Sequence, residues 1–350
     1  MDSQYYLNLA AGGLKMPIGT DLILHEHSDV PGILLDGVRL GQVLELTARR
    51  WQTPLALTLM DLMLEKDLIL QRLGVPVQER EQYHFSAPPT EDMLARLASQ
   101  RGSVSPRIQA NLGALSYVAA KTDLVPVGMT IGPFSLMTKL LSDPITPVFM
   151  AGSGVKAEED AEVQMVETVL ELSCQIILES VAAQAQAGAA AIVVAEPAAN
   201  KAYFSPLQLA AGADIFKRYV LSFNQRIAAR MRELKMDLIF HCCGELTDGM
   251  VKNFTTLEPK LLSLGSSRKL WEDAHLVPKN IVLYGNLPTK KFYSDQLVTV
   301  AQARDMAREL VAKMRQVGHP FILGSECDVL SVPGAEATIK QKVNAMLDVA

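Results

Sequence analysis

The sequence predicts an α/β protein with the architecture of a (β/α)8 TIM-type barrel. Seven short and almost continuously apolar runs recur along the 350 residues, and longer segments with helical periodicity separate them. Strands that are apolar on both faces are typical of a parallel sheet buried under crossover helices. Seven such strands fit a barrel better than an open sheet, although the pattern shows no clear eighth strand.

Each predicted strand is rich in β-branched and other apolar residues and ends at a polar residue or a glycine. The strands are expected at residues 55–60, 125–132, 191–196, 237–241, 261–265, 281–285 and 321–324. Helical periodicity predicts helices over residues 38–50, 90–121, 158–186, 207–234, 297–317 and 335–349. The active site of such a barrel lies at the carboxyl ends of its strands, so chemistry is expected there.

The amino-terminal segment differs in composition from the rest of the chain. Gly12-Gly13, Pro17, Gly19 and Pro31-Gly32 predict an irregular N-terminal cap over residues 1–40, within the same domain. Residues 41–350 are expected to form the barrel as a single catalytic domain, because no Pro-rich or Gly-rich linker and no internal repeat divides them.

Composition and charge exclude several classes of function. A hydrophobic fraction of 49% with 20% charged residues is enough for a large core and does not fit a disordered chain. The net charge of −5 leaves no basic excess, so we expect neither nucleic acid nor a membrane surface as a partner. The first five residues lack the features of a secretory signal, and a cytoplasmic location is expected.

The four cysteines are too few for a disulfide scaffold in a chain of this length. Two of them are adjacent, at Cys242 and Cys243, directly after His241 at the end of a predicted strand. This placement favours metal or redox chemistry in a reducing compartment. Side chains on a strand alternate between its faces, so His241 and Cys243 are expected to share one face while Cys242 points to the other.

A third soft ligand lies near the end of a different strand. The last predicted strand runs into Gly324-Ser325-Glu326-Cys327, so Cys327 is expected on the same rim as His241 and Cys243. Two thiolates and one imidazole suit Zn²⁺, and a catalytic zinc site keeps its fourth position open for water or substrate. Such a site would bind and deprotonate a substrate thiol at neutral pH. The alternative is that the cysteines are only packed in the core.

Several stretches of the sequence resemble the uroporphyrinogen decarboxylase superfamily, and within it the methylcobamide:coenzyme M methyltransferases. The matching stretches are residues 127–136, 194–197, 241–244, 284–286 and 324–327. The resemblance implies a (β/α)8 barrel, which agrees with the pattern of strands and helices. It also implies that His241, Cys243 and Cys327 are the zinc ligands, and that a corrinoid (methylcobalamin) presented by a partner protein carries the methyl group.

The sequence departs from the decarboxylases of this superfamily. Those enzymes carry an amino-terminal motif of the form R-Q-A-G-R that holds substrate carboxylates, and the first 60 residues contain nothing similar. The nearest basic pair, Arg49-Arg50, ends a predicted helix and precedes Trp51. Decarboxylation of a porphyrinogen is therefore not the expected activity.

Four further residues are candidates for the site, each with a structural alternative. Glu196 ends a strand and either reaches the metal or takes up a proton, and its structural alternative is a bond to a nearby loop amide. Glu245 is in phase with His241 and competes for the same functional role. Asp61 follows the first strand and either orients substrate or is solvated. Asn286 either donates a hydrogen bond to bound substrate or cofactor, or caps the next turn.

The leading hypothesis is a zinc-dependent methyltransferase that moves a methyl group between a corrinoid protein and a zinc-activated small-molecule thiol. In the first alternative the methyl group passes from a methoxylated aromatic or another small-molecule donor to cobalt(I). In the second, the chain is a non-catalytic barrel that binds tetrapyrrole or a structural zinc ion. The amino-terminal cap is expected to form part of the docking surface for the corrinoid protein.

Overall fold

The computed structural model describes residues 3–349 and contains a seven-stranded sheet whose spatial order is the order of the strands in the chain. Every neighbouring pair of strands is parallel. The predicted strands are confirmed, with boundaries displaced by at most three residues. The strands are β1 Leu55–Leu57, β2 Val125–Ile131, β3 Ala191–Ala195, β4 Asp237–Cys242, β5 Leu261–Leu264, β6 Val282–Leu287 and β7 Phe321–Ser325.

The amino-terminal segment occupies the gap between β7 and β1. Lys15 and Ile18 form parallel bridges with Leu323 and Asp328, on the β7 side. On the other side, the hydroxyl of Thr20 donates to the carbonyl of Leu57 at 2.8 Å, at the end of β1. This short extended segment therefore stands where a complete barrel has its eighth strand, and the barrel fold is confirmed.

Helices precede and follow this extended segment, so the prediction that residues 1–40 are irregular is wrong in part. The first helix covers the amino-terminal end of the barrel, where Tyr6 donates to the carboxylate of Asp237 and Lys260 donates to the hydroxyl of Ser3. Asp237 begins β4, and Lys260 precedes β5. The first helix therefore lies at the end of the barrel opposite the strand carboxyl ends and is not part of a docking surface there.

Sixteen helices lie around the strands within residues 3–349, with a π-helical turn at Lys217–Leu221 and 3-10 turns at Val77–Glu79, Ala274–Leu276 and Thr289–Lys291. The helices are α1 Ser3–Ala11, α2 Thr20–Leu24, α3 Val30–Ile33, α4 Gly37–Arg50, α5 Leu64–Leu73, α6 Glu91–Ser99, α7 Pro106–Lys121, α8 Pro133–Leu140, α9 Ile145–Gly152, α10 Ala161–Gln186, α11 Pro206–Ala210, α12 Ser222–Glu233, α13 Asp248–Thr255, α14 Leu270–Asp273, α15 Val300–Val317 and α16 Glu336–Leu347.

Two helices predicted as continuous are interrupted. Between α6 and α7, Gly102 adopts a positive φ of 84°, and Ser105 then caps the new helix by accepting the backbone N–H of Ile108. Gly212, with a φ of 90°, similarly separates α11 from the turn that leads into α12. Hydrophobic periodicity continues through both breaks, so it does not reveal them.

The strand side chains divide into two apolar layers. Inward-facing residues such as Val127, Val193 and Ile239 fill the barrel together with Met16 and Ile18 of the amino-terminal segment. Outward-facing strand residues pack against the helices in the larger cluster. This alternation decides which strand-end residues face the barrel mouth. No helix within residues 3–349 is both long enough and apolar enough to cross a membrane.

Candidate functional site

Three side chains with metal-binding chemistry meet at the carboxyl end of the barrel. His241 lies at the end of β4, Cys243 follows that strand, and Cys327 follows β7. A ring nitrogen of His241 and the Sγ atoms of both cysteines lie within 4.8 Å of one another. Two strands separate β4 from β7, so it is the curvature of the sheet that brings these side chains together.

Cys242 points away from this cluster. Its side chain is fully buried among the outward-facing residues, and its Sγ lies 3.7 Å from the carbonyl oxygen of Ala199. The predicted alternation is therefore confirmed, since His241 and Cys243 share a face that Cys242 does not. Burial raises the pKa of the Cys242 thiol, which makes it a poor ligand.

A hydrogen bond from the neighbouring strand orients His241. Nδ1 of His241 lies 2.8 Å from the hydroxyl oxygen of Ser263, and the two residues are register partners on β4 and β5. The imidazole is almost completely buried, and its Nε2 has no hydrogen-bond partner within residues 3–349. A buried nitrogen without a partner is costly, and a metal ion would satisfy it.

The thiols of Cys243 and Cys327 lie close enough to shift the pKa of each other. The thiol of Cys327 hydrogen-bonds to Cys243, and this bond lowers the pKa of Cys243 far below its ordinary value, with His241 and the Lys290 ammonium acting in the same direction. The same bond, together with burial, raises the pKa of Cys327. Lys290 reaches the cluster directly, with its Nζ 3.4 Å from the Sγ of Cys243.

This donor set fits zinc. Bonds of about 2.0–2.3 Å in a tetrahedral site place ligand atoms roughly 3.5–3.8 Å apart. The three atoms lie within 4.8 Å of one another, so each separation would shorten by no more than roughly 1 Å around an ion. Two sulfur ligands and one imidazole suit Zn²⁺, and three protein ligands leave one position for another molecule. The structure brings the three predicted ligands together, and their binding of zinc stays a prediction.

Glu196 does not face the cluster. Ala195 is the register partner of His241, and Glu196 is the next residue along the chain, so the side chain of Glu196 points outward from the barrel. Its carboxylate accepts the backbone N–H groups of Phe134 and Ser135 at 3.1 and 2.9 Å and the amide of Asn224 at 2.8 Å. Burial raises the pKa of this carboxyl group, whereas the hydrogen-bond donors act to lower it. The expectation that Glu196 reaches the metal is wrong, and the alternative of a bond to loop amides describes its contacts.

Glu245 lies in solvent. Its side chain is 71% exposed, and its carboxylate forms an ion pair with Lys201 at 3.1 Å. Because β4 ends at Cys242, the alternation of a strand no longer applies three residues later. The expectation that Glu245 shares the face of His241 and Cys243 is therefore wrong.

Asp61 is on the rim but is already paired. One of its carboxylate oxygens accepts the backbone N–H of Met63 at 3.1 Å, and the other lies 2.6 Å from the guanidinium of Arg107. The side chain keeps 16% of its surface exposed. It remains a candidate for orienting substrate, in company with Arg107.

The side-chain amide of Asn286 joins two turns of the loop that follows β5. Its Nδ2 donates to the carbonyl oxygens of Gly265 and Arg268 at 2.8 and 2.9 Å. Both N–H groups of this amide are therefore used, and the side chain is almost entirely buried. The expectation that Asn286 donates to a cofactor is wrong, and its role is to hold the loop.

Two further residues contact the cluster and were not predicted from the sequence. Ser263 is the one polar residue in the strand Leu261–Leu264, and a single hydroxyl in an apolar strand near the rim was the available signal. Lys290 lies in a 3-10 turn after β6, and nothing in its sequence context pointed to Cys243. Met60 also approaches the site, with its sulfur atom 3.8 Å from the Sγ of Cys327.

Comparison with known proteins finds relatives that carry out methyl transfer. The methylcobamide:CoM methyltransferase MtbA of Methanosarcina mazei is 24% identical over 146 residues, and that of Methanosarcina acetivorans is 23% identical over the same length. Each match covers 41% of this chain and 38% of the relative.

A solved structure agrees over nearly the whole chain. A methyltransferase from Methanosarcina mazei superposes with a TM-score of 0.67 at 16% identity, covering 99% of this chain and 98% of the other. At this identity the likeness establishes the fold. The family model for uroporphyrinogen decarboxylase (URO-D) matches residues 60–348, and the chain therefore belongs to the URO-D family.

Proposed function

We propose that this protein is a zinc-dependent methyltransferase that moves a methyl group between a methylcobamide on a corrinoid protein and a thiol bound at the barrel mouth. The observation that carries the proposal is the convergence of one imidazole nitrogen and two cysteine sulfurs from β4 and β7 within 4.8 Å. The names of the two Methanosarcina relatives support the same chemistry. His241, Cys243 and Cys327 are the proposed ligands.

When bound, zinc supplies an open position for a substrate thiol and lowers the pKa of that thiol. The chain's own residues prepare the site in three ways. Ser263 fixes the ring of His241 with Nε2 toward the cysteines. The lowered pKa of Cys243 keeps a thiolate ready as a ligand. Lys290 supplies a positive charge beside the sulfur ligands, which offsets part of the negative charge that a third thiolate adds.

The methyl transfer needs no reactant other than the thiol and the methylcobamide. The substrate sulfur forms a bond to the methyl carbon while the cobalt–carbon bond breaks, and cobalt retains the electron pair of that bond. The thiol proton is released to solvent before the transfer. A site that stabilises the thiolate therefore accelerates the reaction, because the thiolate is the nucleophile.

The rim offers apolar side chains for a partner protein. Several large apolar residues stand exposed on segments that follow strand carboxyl ends, among them Phe149, Leu207, Tyr293 and Leu330. Phe149 and Leu207 belong to neighbouring segments, since the side chain of Gln208 donates to the Phe149 carbonyl at 2.8 Å. Exposed apolar residues around a site of this kind support docking of a corrinoid protein over the barrel mouth.

The test combines metal content with methyl transfer. Zinc is measured by elemental analysis in the wild type, in Cys243→Ala and in Cys327→Ala, and thiol-dependent demethylation of methylcobalamin is followed by absorbance. Cys174→Ala is the matched control, because Cys174 is a buried thiol on α10 outside the cluster. We expect about one zinc ion per wild-type chain, with metal and activity lost in both cluster variants and kept in the control.

Two other outcomes would change the conclusion. Zinc without thiol methylation would favour transfer from a methoxylated aromatic to a reduced corrinoid protein, and such donors would then be assayed directly. If the protein contains no zinc even after preparation in excess zinc, both directions of transfer through this site are excluded. The cysteines would then be packing residues.

A further inference from the structure

The sulfur atoms of Cys243 and Cys327 lie close together on two segments of irregular backbone. Cys243 comes directly after β4, and Cys327 comes shortly after β7. Their Sγ atoms lie within 4.8 Å of each other, so formation of an S–S bond of about 2.05 Å needs an approach of no more than roughly 2.8 Å. Because neither residue belongs to a strand, rotation of the side chains and a small movement of the two segments can supply this approach.

The other two cysteines are not available to this pair. Cys174 and Cys242 are completely buried. Cys243 and Cys327 are both partly exposed. Cys174 lies on α10, and Cys242 packs in the outer apolar layer with its Sγ directed toward the carbonyl of Ala199. Since a buried thiol in apolar surroundings is inert, oxidation should be confined to the two thiols at the barrel mouth.

The charges around the pair distinguish the roles of the two sulfurs. The ammonium of Lys290 lies 3.4 Å from the Sγ of Cys243 and stabilises a thiolate there, and His241 acts in the same direction. The thiols that peroxides oxidise reversibly are solvent-accessible thiolates with a second thiol beside them. Cys243 therefore has the surroundings of the attacking sulfur, and Cys327 is the thiol positioned to complete the disulfide.

We propose that Cys243 and Cys327 form a reversible disulfide when the metal-free protein reacts with a hydroperoxide. In the first step the Cys243 thiolate forms a bond to one peroxide oxygen while the O–O bond breaks, and the leaving oxygen takes up a proton from solvent. In the second step the Cys327 sulfur bonds to the Cys243 sulfur while the new S–O bond breaks, and the departing hydroxide leaves as water with the Cys327 proton. The two sulfurs together lose two electrons, and the peroxide gains them.

The disulfide would remove both sulfur ligands of the proposed zinc site at once. A metal binds cysteine as the thiolate, so only His241 remains of the three proposed ligands after oxidation. A bound metal ion in turn holds both thiolates and should slow their oxidation. A small dithiol would restore the ligands by thiol–disulfide exchange. The disulfide itself does not depend on the proposed function, whereas its effect on methyl transfer rests on it.

The test treats the full-length protein, after chelation of metals, with an equimolar amount of hydrogen peroxide. Free thiols are then counted after denaturation, and linked peptides are identified by mass spectrometry before and after dithiothreitol. Cys242→Ala is studied beside the wild type, because Cys242 and Cys243 are adjacent and a peptide digest does not separate them. Cys327→Ser removes the second thiol of the pair, and circular dichroism establishes that each variant is folded.

We expect the wild type to fall from four free thiols to two and Cys242→Ala to fall from three to one, each with a linked peptide pair that dithiothreitol separates. Cys327→Ser should form no linked pair and should instead hold a sulfenic acid at Cys243, which dimedone captures. Zinc loading should slow the loss of thiols in the wild type at least about tenfold, because both sulfurs are then coordinated.

Four free thiols remaining in the peroxide-treated, metal-free wild type would overturn the proposal, and so would a disulfide that requires Cys242 or Cys174. Equal rates of thiol loss with and without bound zinc would overturn the protective effect of the metal. If the disulfide forms but the zinc-loaded protein shows no methyl transfer, this inference is supported and only the proposed function is contradicted.

Discussion

Nδ1 of His241 and the hydroxyl of Ser263 lie 2.8 Å apart on adjacent strands, and this contact leaves Nε2 as the ring nitrogen that faces the cysteine sulfurs. A partner on the second nitrogen fixes the orientation of a metal-binding histidine and raises its basicity. The hydrogen bond therefore links Ser263 to the zinc affinity of the proposed site.

We expect Ser263→Ala to weaken zinc binding by about 10-fold to 100-fold, the usual cost of losing an outer partner of a histidine ligand. Zinc affinity is measured by competition with a chromogenic chelator. Ser173→Ala is the control, because Ser173 is also buried but donates to the Val169 carbonyl in α10. Unchanged affinity in Ser263→Ala would mean that His241 is held by packing alone.

The contact between Lys290 and Cys243 predicts how the reactivity of the Cys243 thiolate depends on pH in the metal-free protein. The ammonium lowers the pKa of Cys243, so Lys290→Gln should raise that pKa and move the onset of thiolate reactivity to higher pH. The measurement is the pH dependence of iodoacetamide labelling after chelation, with Cys243 and Cys327 resolved by peptide mass spectrometry. Lys291→Gln, at an exposed position beside it, should leave the profile unchanged.

The fold followed from the sequence because its main signals are local. The apolar runs that became β2 and β3 are bounded by helical periodicity, and strand alternation separated Cys242 from His241 and Cys243. The segment that completes the barrel was missed because its signal is ambiguous. Pro17 lacks the backbone N–H of a strand residue, and within residues 3–349 the segment has isolated bridges to Leu323 in β7 and to Asp328 beyond it.

Each error at the site has a physical cause. Glu196 and Asn286 are polar residues near strand ends. Their position along the strand does not show whether the side chain is already hydrogen-bonded to backbone groups of a neighbouring loop. Glu245 was assigned by extending the strand period past the end of β4. Lys290 reaches Cys243 through a turn whose path depends on tertiary packing. Such long-range contacts have no signature in a single chain.

The contacts of Glu196 predict a loss of stability without a loss of metal. Glu196→Ala leaves the backbone N–H groups of Phe134 and Ser135 and the amide of Asn224 without their acceptor. We expect the free energy of unfolding to fall by at least about 2 kcal/mol, the cost of burying unsatisfied donors. Urea unfolding measures this change, and zinc content should stay at the wild-type level. Loss of zinc from the folded variant would restore a role for Glu196 at the metal.

Glu65 predicts an unusual dependence of stability on pH. Burial raises the pKa of this carboxyl group from 4.5 to about 7, against donors from Thr130 and Ser180 that lower it. Between these two values the folded protein binds more protons than the unfolded chain, so the contribution of Glu65 to the free energy of unfolding falls as pH rises. Above pH 7 the folded state carries the full cost of an ionised, buried carboxylate.

Glu65→Gln removes this dependence. Relative to the variant, the wild type should lose about 3 kcal/mol of unfolding free energy between pH 4 and pH 8, at about 1.4 kcal/mol for each unit of pKa difference. Urea unfolding of both proteins across this range measures the difference, and other titrating groups cancel in the comparison. Glu162→Gln, at an exposed carboxylate on α10, serves as the control and should follow the wild type. A wild-type curve parallel to that of Glu65→Gln would show that the carboxyl group titrates normally and has access to water in the folded state.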